Sequence, residues 1–88
     1  MPVYVVSYEQ SRESESAALH EALRNLGGEC ILSGLFVVDS PGDAEGLHRH
    51  LSEFLQNEDR IFVTRLTEDF SGYVLQDAGR WLDTHKPL

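Results

Sequence analysis

Two segments with apolar residues at helical spacing, set among four short β-branched and aromatic runs, limit what this chain can fold into. Residues 3–8, VYVVSY, form the first run behind Pro2, which a strand tolerates at its start. Residues 11–28 then place Leu19, Ala22, Leu23 and Leu26 on one helical stripe and stop at Gly27-Gly28, a pair suited to the left-handed end of a helix. Glu13 and Glu15 are expected in the first turn of that helix, where its dipole favours acids. Residues 30–38, CILSGLFVV, are apolar on both sides of Ser33-Gly34 and predict two strands joined by a tight turn. After the breaker Ser40-Pro41-Gly42, Asp43 is the N-cap of a second helix with the stripe Ala44, Leu47, Leu51, Phe54 and Leu55, ending near Asn57. Residues 59–67 predict a fourth strand, with Ile61 and Val63 on one face, Phe62 and Leu66 on the other, and both faces at least partly covered.

Strand, helix, strand, strand, helix, strand is the order of the split βαβ unit, so the expected class is α+β with a ferredoxin-like (βαββαβ) antiparallel sheet. In that arrangement the first and third strands are central, both helices lie on one face, and the other face is bare. Residues 1–67 would make this domain and residues 68–88 a C-terminal tail. The tail holds Phe70, Tyr73, Val74, Leu75, Trp81 and Leu82, too much apolar mass for a frayed terminus. It is expected to cover a sheet edge or a partner subunit, with Phe70, Tyr73, Trp81 and Leu82 as the interface. Trp81 stands at helical spacing with Ala78 and Leu82.

Composition narrows the function classes. At 88 residues the chain predicts one small domain. No apolar run exceeds four residues, against about 20 for a membrane helix and about 7 for a signal-peptide core, so a soluble cytoplasmic protein is expected. The lone Cys30 cannot form an intrachain disulfide, and no closely spaced Cys/His set suggests structural zinc. A small core without such staples favours a homodimer. The formal net charge of −8 disfavours broad nucleic-acid binding. Screening over about 8 Å still leaves room for a local basic site.

Topology gathers polar residues at one end of the sheet: Tyr8 and Glu9 at the exit of the first strand, the Ser33-Gly34 turn, Arg12, and Glu58, Asp59 and Arg60 before the fourth strand. A carboxylate at a strand exit suits a hard cation such as Mg²⁺. One carboxylate per chain makes a poor site, but two Glu9 side chains facing each other across a dimer axis could share an ion that activates water. The commoner role for such a residue is a solvated turn. His48 and His50, two apart on a helix, lack the i, i+4 spacing of a helical metal pair, and His20 and His85 have no companions in sequence. Cys30 reads as a small packed residue, and no activating base accompanies Ser7 or Ser33. Tyr4, Phe36 and Phe62 are similar to the stacking aromatics of an RNA-binding sheet, although packing under helices or a partner is the more frequent role.

The first strand VYVVSYE, the turn Ser33-Gly34-Leu35-Phe36 and the run EDRIFVTRLT together resemble the small CRISPR-associated ferredoxin-like proteins that act as dimers in spacer acquisition. Closer still is the resemblance to a bacterial group sometimes labelled SinR-family, which begins with a Val-Tyr-Val-Val-Ser-Tyr-Asp run and ends in a Trp-Leu tail. It covers most of residues 2–67, and the tail is shared with the second group alone. The resemblance implies a homodimer with a Mg²⁺ site at the acid after the first-strand Tyr, acting as a nuclease in some members and as a scaffold in others. That acid is Glu9 here, where the family carries Asp. Two functions are therefore expected as rivals: a weak metal-dependent nuclease, or a non-enzymatic protein-binding module that uses its sheet edge and apolar tail.

Overall fold

A computed structural model describes residues 2–10, 17–56 and 58–85. Four strands, β1 (Val3–Glu9), β2 (Glu29–Leu32), β3 (Leu35–Asp39) and β4 (Arg60–Arg65), form one antiparallel sheet in the order β2-β3-β1-β4. Three helices, α1 (Ala18–Asn25), α2 (Ala44–Ser52) and α3 (Gln76–Thr84), complete an α+β fold. No helix of the described residues is long and apolar enough to cross a membrane.

The strand period of two divides the sheet into two faces. On the first, Tyr4, Val6, Phe36 and Val38 pack with Leu19, Ala22 and Leu23 of α1 and Leu47 and Leu51 of α2 into one core. Tyr4 and Phe36 therefore lie beneath helices and offer no stacking platform to RNA. Leu26, Phe54, Ile61 and Val63 border this core.

Helix ends follow local chemistry. Beyond Leu26, Gly27 turns to φ +78°, its N–H donates to the Arg24 carbonyl at 2.9 Å, and the Gly28 N–H donates to the Leu23 carbonyl at 3.0 Å. This is the paired closure of a Schellman motif. Gly28 also allows close packing, since a Cβ there would lie 2.6 Å from Val38 Cγ1. The Asp43 carboxylate accepts from the Gly46 N–H at 2.8 Å and caps α2. That helix ends at Ser52, short of Asn57, which lies outside the described residues. The first-turn acid of α1 is Glu21; Glu13 and Glu15 also lie outside the described residues.

One expectation about the second face needs correction. It is not bare at its centre: Val37 is 0% exposed and Val3 1%, and both belong to that face, where residues 66–83 of the same chain cross it. The cover over the β4 end of that face is partial: Leu66 is half-buried beneath the strap, while Phe62 is 70% exposed. The tail is in part helical. It returns from β4 as a strap over residues 66–75 with no regular secondary structure, then forms α3, which lies against the edge strand β2.

Candidate functional site

The exit of β1 is built by three elements. The Tyr8 N–H donates to the Gly34 carbonyl at 2.8 Å, so the β2–β3 turn closes onto the end of β1. Gly34 holds φ +76°, and a Cβ at that position would lie 2.8 Å from the Tyr8 carbonyl oxygen. On the other side Glu9 is the register partner of Arg60. Glu9 is exposed, in a shallow cleft of about 240 Å³ lined by Ser7, Tyr8, Glu9, Arg60, Ile61 and Phe62. Directly opposed residues of an antiparallel pair have Cβ atoms roughly 5 Å apart, so a cation held by Glu9 would share its surroundings with a guanidinium. Among the described residues no three His, Cys, Asp or Glu side chains come together to hold a metal ion. Asp59 serves the turn before β4, accepting from the Gln56 N–H at 2.9 Å. Arg12 lies outside the described residues.

Under the same strand end, on the helix-covered face, the Tyr8 hydroxyl is hydrogen-bonded to His20 Nε2. The His20 ring stacks on Phe36, with centroids 5.9 Å apart and planes inclined by 29°. Burial pushes the Tyr8 hydroxyl pKa up, the Cys30 thiol adds to the rise, and Arg24 acts against it. Sequence reasoning missed this pair because His20 has no companion along the chain. The one available signal was its position next to Leu19 on the face of α1 that turns toward the sheet. Cys30 is half-buried against the core, and its Sγ donates to the Leu32 carbonyl at 3.2 Å. His50 contacts Phe54 edge-on at 5.8 Å, and both His48 and His50 are exposed.

The four tail residues singled out in the sequence fall into two pairs. Trp81 and Leu82 are half-buried on α3, and the Trp81 indole N–H donates to the Gly27 carbonyl at 3.0 Å while its ring stacks on His85. Phe70 and Tyr73 lie on the strap, and Tyr73 is 99% exposed. Near it, Leu75 is 78% and Leu32 of the edge strand 53% exposed, and these three with Ile31 and Val74 surround an open depression of about 580 Å³. A second concavity, of about 470 Å³, lies between the strap, α3 and the second sheet face. Its walls include Val5, Val37, Leu66, Phe70, Val74 and Leu82. The helical Gly79 and the carboxylate-bearing Asp83 also line it, and neither was singled out in the sequence.

No protein-family model matches the chain, and no solved structure matches it.

Proposed function

We propose that this chain is a non-enzymatic protein-binding module, a ferredoxin-like split βαβ domain that pairs with a second copy of itself through the strap and the β2 edge. The fold reading is supported by the strand order, with β1 and β3 central, together with α1 and α2 on one face. The observation that carries the function is the patch of Tyr73, Leu75 and Leu32, three large apolar side chains all more than half exposed beside an edge strand. Soluble proteins seldom leave such a group uncovered, and an edge strand next to it adds unpaired backbone groups. Because each copy carries a net charge of −8, long-range repulsion opposes pairing and an apolar contact has to supply the attraction. The resemblance to small CRISPR-associated dimers agrees with a homodimer.

The nuclease that the same resemblance implies would place Mg²⁺ at Glu9. With one carboxylate per chain, it would need two copies to bring their Glu9 side chains together, each beside an Arg60 that repels the ion. The exposed patch makes no such demand, and the binding reading is preferred for that reason. Sedimentation at micromolar concentration should give a dimer for the wild type and a monomer for Tyr73→Ser combined with Leu75→Ser, with unchanged circular dichroism. A wild-type chain that sediments as a monomer would overturn the proposal.

A further inference from the structure

The concavity behind the strap adjoins the exposed patch and shares Ile31, Leu32, Tyr73 and Val74 with it. Its floor is the second sheet face at the half-buried Val5, its roof is the strap, and one wall is α3. At about 470 Å³ it falls within the roughly 300–1,000 Å³ range of small-molecule sites, and most of its lining is apolar. Gly79 stands in the middle of α3, where glycine costs a helix about 1 kcal/mol relative to alanine. No backbone demand accounts for it: its φ is not positive, and an added Cβ would meet nothing within 4 Å. What the missing side chain does is leave the wall of the cavity open. Among the described residues, Asp83 is the one charged residue in the lining, and no basic residue lines the cavity.

We propose that this cavity binds a small molecule with an apolar body and a cationic amine head, the body lying over Val5 and Leu82 and the head pairing with the Asp83 carboxylate. The charge of the lining selects the head group, because an anionic ligand would meet Asp83 and find no positive partner among the described residues that line the cavity. The cavity shares Ile31, Leu32, Tyr73 and Val74 with the exposed patch, whereas Leu75 belongs to the patch alone, so a Leu75→Ser chain separates ligand binding from self-association.

Phenylbutylamine, phenylbutanol and phenylbutyrate share one body and differ in head group, which makes them suitable probes. Titrating each into the full chain, with the methyl resonances of Val5, Val74 and Leu82 followed by NMR, should show saturable binding that is tightest for the amine. Gly79→Leu fills the wall and should weaken amine binding by about tenfold or more, while Gly79→Ala, which adds one methyl, should weaken it less. Asp83→Asn should remove the preference of the amine over the alcohol. Absence of saturable binding by all three probes would overturn the proposal, as would equal affinity in the wild type and in a folded Gly79→Leu. Binding of phenylbutyrate as tightly as the amine would overturn the head-group assignment. In the Leu75→Ser chain, shifts of the same methyls on raising protein concentration without any probe would mean that a second copy fills the cavity, which also overturns it.

Discussion

The Trp81 indole N–H donates to the Gly27 carbonyl oxygen at 3.0 Å, so the last helix is tied to the turn that ends the first across 54 positions of sequence. Removing this bond while keeping an aromatic ring, in Trp81→Phe, should cost about 1 kcal/mol. Trp81→Ala also loses the half-buried ring and its stacking on His85, and should cost about 2 kcal/mol or more. Thermal unfolding of the two variants checks the order. Equal melting temperatures for wild type and Trp81→Ala would mean that α3 is not docked.

Two glycines should respond in opposite directions to alanine. At Gly28 a Cβ would lie 2.6 Å from Val38 Cγ1 and 2.8 Å from the Leu23 carbonyl oxygen, so Gly28→Ala should destabilise by about 1–3 kcal/mol through overpacking. At Gly79 the space is open and the backbone helical, so Gly79→Ala should stabilise by about 0.5–1 kcal/mol. Denaturant midpoints measure both. A stabilising Gly28→Ala would refute the close approach of α1 to β3.

Alkaline stability should depend on Tyr8. Its hydroxyl pKa in the folded chain is raised above the ordinary value of about 10 by burial and by Cys30, with Arg24 opposing. The folded state therefore keeps this proton at a pH where the unfolded state has released it. The contribution is complete below the unfolded pKa and is lost as pH rises through the folded one. Melting temperatures recorded from neutral to strongly alkaline pH should fall for the wild type, and Tyr8→Phe should show a smaller fall. Parallel curves for the two proteins would contradict the assignment.

Glu9 separates the two functional readings. A binding module predicts that Glu9→Gln leaves the sedimentation behaviour unchanged and that purified protein cleaves neither RNA nor DNA in Mg²⁺ or Mn²⁺. Cleavage that disappears with EDTA and in Glu9→Gln would instead restore the nuclease reading. Greater activity in Glu9→Asp would show that the longer acid had weakened a metal site.

The helical stripes and strand runs were legible because each follows from a local period or a local stereochemical need. Leu19, Leu23, Leu47 and Leu51 recur at helical spacing and are buried together; Gly27 and Asp43 carry helix-end chemistry in their own residue types. The antiparallel pairing of central strands was accessible by the same route, through the order of elements. Boundaries were less legible: α2 stops at Ser52 although its apolar stripe continues through Phe54 and Leu55, which pack beside the core without helical continuation.

What the sequence determined by itself is the four strands, the first two helices, the helix ends at Gly27 and Asp43 and the residues of the helix-covered core, since those depend on neighbours a few positions apart; α3, inside the apolar tail, is not among them. Tertiary structure alone decided that the strap crosses the second sheet face and leaves a cavity there. It also joined Tyr8 to His20, set Glu9 beside Arg60 and aimed Trp81 at Gly27. These are contacts between segments distant in sequence. They are fixed by how apolar faces stack and by which polar groups then find partners, and no local periodicity encodes either.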